Sequence, residues 1–178
     1  MKNIKTLSTA TTMCAVFAIA VSVFGATKSY ASDIMMSVLL KSPVHEVASD
    51  IYARYGSPSP NAMAIAITST EKPHLSMAQS IIESAGNPSA VGLSGEEGGW
   101  QVIPDCWWPV PKKPRDQAVQ AQTILSLLGN GGNDTSLMRM QTALRKYNGS
   151  IKNQKTRVYA DKVLQLAFSI AVETGGTL

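Results

Sequence analysis

The sequence predicts a mainly α-helical domain with a small hairpin or irregular loop set among its helices. Three observations lead there. Apolar residues recur at helical spacing in several separate stretches. Glycines at 92, 95, 98 and 99 make a long helix costly across one segment, and prolines at 104, 109, 111 and 114 stiffen the next. The length suits a single domain.

The first residues read as a targeting segment. Lys2 and Lys5 form a basic start, an apolar run follows from Met13 to Ala26, and no acid precedes Asp33. Ser29 and Ala31 are the small residues a signal peptidase reads, which places cleavage after Ala31 and makes 1–31 a signal peptide. The apolar run is short for a membrane span, which needs ~20 residues. Cys14 lacks the small residues expected before a lipidated cysteine. The expected destination is therefore the periplasm or another exported location, with no stable span after cleavage. Export also changes the charge argument. The full chain carries 16 Lys and Arg against 12 Asp and Glu, and Lys2, Lys5 and Lys28 leave with the signal. The mature chain is then nearly neutral, apart from a basic stretch between Arg139 and Lys162 with seven cations and one acid. Such a patch suits the carboxylates of peptide stems or phosphates, although solvated helix faces explain most of it. Nothing resembles a nucleic-acid module. Cys106 is the one cysteine left after cleavage, so no internal disulfide forms, and a small buried residue is its usual role. With only His45 and His74, and no ligand-type spacing, neither a metal nor another cofactor is expected.

A helix is expected over 34–55, where Val44, Val47, Ala48, Ile51 and Tyr55 share a spacing, with Pro43 in or just before its first turn and Gly56 closing it. His45 falls off that face and reads as solvent-facing. This N-terminal helical segment, 32–60, precedes the main domain, 61–178. Asn61 is a plausible N-cap for a short, very apolar and hence buried helix over 62–67. Residues 68–73 interrupt it. A further helix runs from His74 or Leu75 to Ala85, with Leu75, Ala78 and Ile82 along one stripe and Glu83 at its edge beside Gln79. Gly86 can take the left-handed conformation that closes a helix, and Pro88 forbids continuation. After the glycine-rich and proline-rich segments, Asp116 is a candidate cap for a helix bearing Ala118, Ala121, Leu125 and Leu128. Residues 130–134 end it. Thr135 or Ser136 begins the next, whose Leu137, Met140, Leu144 and Tyr147 share a face and turn Tyr147 inward. The last helix starts near Thr156. Tyr159, Val163, Leu166 and Ile170 share its inner face, and Gly175 with Gly176 stops it.

The stretch 81–101, IIESAGNPSAVGLSGEEGGWQ, sets a carboxylate behind Ile81 and Ile82 and then folds a loop around it. Apolar neighbours raise a carboxyl pKa and let it act as an acid near neutrality. On the helix alone, the plainer reading of Glu83 is a surface acid. The surrounding motifs reverse that. Glu83, Ser84, Asn87, Pro88, Ala90 and Val91 fit E-S-x-x-N-P-x-A-V, and Gly95, Gly98 and Gln101 fit G-x-x-G-x-x-Q. Tyr147-Asn148-Gly149 follows, and then Thr156-Arg157-x-Tyr159 with Val163. Over roughly 62–170 the chain resembles the lytic transglycosylase domain (SLT type) of the lysozyme-like superfamily.

That resemblance implies a lysozyme-like α+β domain and a peptidoglycan substrate, cut between N-acetylmuramic acid and N-acetylglucosamine without water to leave a 1,6-anhydro end. It implies Glu83 as the single acid and base. It gives Tyr147 a hydrogen bond to that carboxyl and Asn148 a sugar contact, with Ser84, Gln101, Trp100 and Tyr159 as further substrate-binding candidates. Gln101 either reaches the sugar or braces the loop. Trp100 stacks on a sugar or fills the core, and core packing explains Tyr159 equally well. The chain departs from the pattern at Gly92, where the family often has serine, so that a polar contact is missing or comes from Ser94. It departs again at Glu96 and Glu97. Related goose-type lysozymes place a carboxylate in this loop to activate water, which opens an alternative: inverting hydrolysis with Glu96 or Glu97 as base. A non-catalytic glycan-binding or assembly protein is the other alternative. Compact size weakly favours service to an envelope secretion, conjugation or pilus machine.

Overall fold

The computed structural model describes residues 43–129 and 137–175. The signal segment 1–31 with Cys14 and its cleavage site, the helix expected over 34–42, the turn at 130–134, the start at Thr135 or Ser136, and Gly176 lie outside the described residues. Among the described residues are six helices: α1 (Pro43–Arg54), α2 (Pro60–Ile67), α3 (Pro73–Ser84), α4 (Pro114–Gly129), α5 (Leu137–Tyr147) and α6 (Gln154–Thr174). None is long and apolar enough to cross a membrane.

Four of these helices begin at a proline. Proline suits the first helical position because its fixed φ is already helical and its missing N–H would have no intrahelical partner there. This displaces two expected caps. Asn61 lies inside the first turn of α2, where its Oδ1 accepts from Ser49 Oγ at 2.6 Å, and Ser59 holds the cap position. Asp116 lies in the first turn of α4, two residues past its start. There its charge complements the helix dipole. At the far end of α6 the expectation holds, since Gly175 closes the helix with φ +66°.

The core gathers α1 residues Ile51 and Tyr52, α2 residues Met63 and Ile67, and α3 residues Leu75, Met77 and Ala78 with Ile124, Leu144 and Val163 from α4, α5 and α6. Because α1 shares this core, no packing boundary falls at residue 60. The apolar α2 is buried as its composition predicts. On α3 the buried stripe runs through Ile81, while Ile82 is 39 % exposed, which corrects the stripe drawn through Ile82. His45 is 4 % exposed, so it turns into the protein and not toward solvent. Cys106 is exposed, not a small buried residue, because the proline-rich crossing on which it sits stays at the surface.

Between α3 and α4 the chain forms no regular strand. Two isolated antiparallel bridges pair Val91 with Glu97 and Glu97 with Val102. Gly92 N–H donates to Glu96 O at 2.7 Å and Gly98 N–H to Ala90 O at 2.8 Å, so residues 92–96 form the tip of a small hairpin. Glu97 and Val102 exchange both backbone bonds, folding a second short turn onto the first.

Candidate active site

Glu83 occupies the last turn of α3. Ala85 follows in the left-handed conformation, φ 55°, and Gly86 has φ 69°. Ala85 N–H donates to Ile81 O and Gly86 N–H to Ser80 O, so the helix closes immediately behind the carboxylate. The chain then turns back over Glu83 as the 90–102 hairpin.

That hairpin is tied down at residues 98–100 by three helices. From α3, Ser84 Oγ donates to Gly99 O at 2.8 Å and accepts from Asn87 N–H at 3.0 Å. From α4, Gln117 accepts from Gly99 N–H at 2.9 Å and donates to Pro88 O and Pro111 O. From α5, the Tyr147 hydroxyl donates to Trp100 O at 2.7 Å. The Trp100 indole N–H donates to Ser76 O at 3.0 Å, and the residue is 1 % exposed. Nearby, Gln120 Nε2 donates to Trp108 O and Pro109 O, fastening the proline-rich crossing to α4. The bonds from Ser84, Gln117 and Tyr147 satisfy Gly99 O, Gly99 N–H and Trp100 O, backbone groups that the short hairpin leaves unpaired.

These contacts revise several roles. Trp100 is a core residue with its polar atom bonded, so it offers no face to a sugar. Ser84 pins the hairpin with both its donor and an acceptor engaged. Tyr147 holds the hairpin backbone and does not bond the carboxyl. That bond comes from Tyr159, whose hydroxyl donates to Glu83 Oε1 at 2.5 Å across 76 residues of sequence. Both tyrosines face inward as their spacing predicts. Periodicity gives a side chain's face, and the packing of α6 against α3 decides which hydroxyl reaches the acid. Gln101 braces the loop: its Nε2 donates to Gly98 O at 2.9 Å, and it holds φ +50°, a left-handed conformation uncommon for a residue with a side chain. Asn148, just past α5, is exposed. Trp107 and Trp108 pack edge to face, 5.9 Å between ring centres.

Gly92 gains a physical reason. A methyl group built there would lie 2.2 Å from Glu96 Oε2 and 2.8 Å from Gln101 Oε1. The Glu96 carboxylate thus fills the space a serine would use at position 92, and it accepts from Ser94 N–H at 2.9 Å. Ser94 contributes its backbone to Glu96, while Glu97 is exposed and engaged through its own backbone.

The electrostatics converge on Glu83. Burial pushes its carboxyl up, the Tyr159 hydrogen bond draws it down, and the Glu96 charge pushes it up again, for a net pKa of about 7 against an ordinary 4.5. Tyr159 and Tyr147 are both raised well above the ordinary phenol value, first by burial and then by the Glu83 charge, so both hydroxyls stay protonated as donors. A carboxyl with this pKa exchanges its proton near neutral pH, which suits one group to both acid and base steps. No group of His, Cys, Asp and Glu that would hold a metal ion occurs among the described residues.

Sequence reasoning missed Gln117 and Gln120. Their signal was present: two amides three residues apart on a helix face otherwise built from Ala118, Ala121 and Ile124. No known family model, curated protein or solved structure matches this chain.

Proposed function

We propose that this chain is an exported lytic transglycosylase with a lysozyme-like domain, acting on the glycan strand of peptidoglycan. One observation carries the proposal: Glu83 sits at the closed end of α3, under a hairpin, with its pKa raised to about 7 and a tyrosine hydroxyl fixing one oxygen. The motif resemblance supplies the substrate.

In this mechanism the free oxygen of protonated Glu83 gives its proton to the glycosidic oxygen as the C1–O bond breaks. The substrate's own acetamido oxygen stabilises the cationic C1. Glu83, now a carboxylate, takes the proton from the muramic 6-hydroxyl, and that oxygen closes on C1 to give the anhydro ring. Proton count returns to its start and no water is consumed. Tyr159 keeps the carboxyl oriented through both steps and strengthens its bond when Glu83 is charged. Tyr147 acts at one remove, by holding the hairpin backbone at Trp100.

Purified sacculi provide the test. The wild-type chain should release soluble glycan fragments, and Glu83→Gln should reduce release by orders of magnitude while keeping its fold. Full activity in that variant would refute the assignment.

A second reading has its own support. The Glu96 carboxylate lies close enough to Glu83 to raise its pKa, and Gly92 leaves it room. A second carboxylate beside an acid is the arrangement of an inverting hydrolase, in which Glu96 would activate water. Loss of activity in Glu96→Gln comparable to that in Glu83→Gln would favour it; near-normal turnover would favour the single-acid mechanism. Service to an envelope secretion or pilus machine is a further part of the proposal, supported by the export segment and the compact size.

A further inference from the structure

A cavity of about 290 Å³ lies among α3, α4 and α5, and Glu83 is not among the residues that line it. Its size is near the lower end for small-molecule pockets, ~300 Å³. Leu75 from α3, Leu125 from α4, and Met140 and Ala143 from α5 make apolar walls. Two of its polar lining residues are almost wholly buried, Ser76 at 7 % and Gln79 at 1 % exposure, and Ser76 Oγ and Gln79 Nε2 have no hydrogen-bond partner. Gln79 also approaches the Tyr159 hydroxyl and eases that phenol's pKa downward, without a well-formed bond at Nε2. Leaving a buried donor unmade costs about 1–3 kcal/mol. One donor without a partner, Ser76 Oγ, beside a second, Gln79 Nε2, held only loosely against Tyr159, points to an acceptor that fills the cavity.

The remaining lining sets the rest of the ligand. Arg139 and Lys72 bring cations to the cavity, and neither forms an ion pair among the described residues. Glu71 is the one acid of the lining, and its backbone N–H is taken by Gln122 Oε1 at 2.8 Å. The balance favours an anion, and a guanidinium matches a carboxylate in particular.

We propose that this cavity binds an N-acyl amino acid or short acyl-peptide with a free carboxylate. Its amide carbonyl accepts from Ser76 Oγ and Gln79 Nε2, its small apolar side chains lie against Leu75, Leu125 and Met140, and its carboxylate pairs with Arg139. The ligand class follows from the lining alone. That the peptide stems of the cell wall supply it rests on the function proposed above.

Isothermal titration of the purified chain with N-acetyl-D-alanyl-D-alanine tests this. Saturable binding is expected, weakened about tenfold when the probe's carboxylate is replaced by its amide, and similarly by Arg139→Gln. Ser76→Ala should weaken it severalfold. Ala143→Leu, with its fold checked by circular dichroism, should block the cavity. Absence of saturable binding at millimolar probe, or binding indifferent to Arg139→Gln, Ser76→Ala and the probe's charge, would overturn the proposal. Glu83→Gln should bind the probe as the wild type does. Discriminating binding by a chain that leaves sacculi intact would retain this site and refute the enzymatic function. Cleavage of sacculi without probe binding would do the reverse.

Discussion

Replacing Glu83 with Gln should make the folded chain more stable at alkaline pH while removing its activity. The carboxyl titrates at about 7 in the folded protein against 4.5 ordinarily. The folded state therefore holds a proton that the unfolded chain has already lost between those two values. Stability from this group is fully present below about pH 4.5, falls as pH rises through 7, and is level above. At ~1.36 kcal/mol per pKa unit, the gap amounts to about 3 kcal/mol. Gln does not titrate, and its amide oxygen can accept from Tyr159 as the protonated acid's carbonyl does. The two proteins should thus be nearly equal at pH 4.5 and diverge to about 3 kcal/mol in favour of Glu83→Gln above pH 8, a shift of roughly 10 °C in midpoint for a domain of this size. Urea or thermal unfolding across that pH range gives the comparison. A difference that does not vary with pH would mean an ordinary, solvated carboxyl, and the reasoning about burial would fail.

Other consequences follow from named contacts. Tyr159→Phe deletes the one influence that lowers the Glu83 pKa. Hydrogen bonds to charged groups contribute ~1.5–3 kcal/mol, so the pKa should rise by about one to two units, seen as a displaced pH–rate profile. Gly92→Ala should displace the Glu96 carboxylate from the space it fills and lower the Glu83 pKa, moving that profile the opposite way; an unmoved profile would remove Glu96 from the electrostatics. Gly98→Ala combines φ +77° with a methyl 2.7 Å from Gln117 Oε1, so it should cost about 2 kcal/mol of stability, measured by denaturation, and loosen the hairpin over Glu83.

Part of the helical layout was legible because burial imposes a period, which α6 carries plainly; α2 was legible from its apolar composition, while Leu137 of α5 and Tyr55, placed on inner faces by spacing, are exposed. Helix starts were less so. Asn61 and Asp116 have capping side chains, yet the prolines just before them fix the first turn more strongly than a side-chain bond selects it. His45 and Cys106 were misplaced for different reasons. His45 is buried although it falls off the apolar spacing of its helix, and Cys106 follows the proline-rich crossing to the surface, where the usual burial of a free cysteine does not apply. The place of Glu83 in the last turn of α3 was readable from the helix break at Gly86 and Pro88. The exchange of roles between Tyr147 and Tyr159 was not, since both lie on inner faces and only the packing of α6 on α3 selects the bonded one. Gln117 was overlooked because an amide on a buried face reads as a defect until the backbone groups it satisfies, at Pro88, Gly99 and Pro111, are seen together.

The decisive measurement is the mass of the muropeptides released from purified sacculi, run in heavy-oxygen water. A lone acid and base at Glu83 predicts products one water lighter than hydrolysis would give, ending in 1,6-anhydro rings and carrying no solvent oxygen. Reducing ends labelled with the heavy isotope would contradict that mechanism.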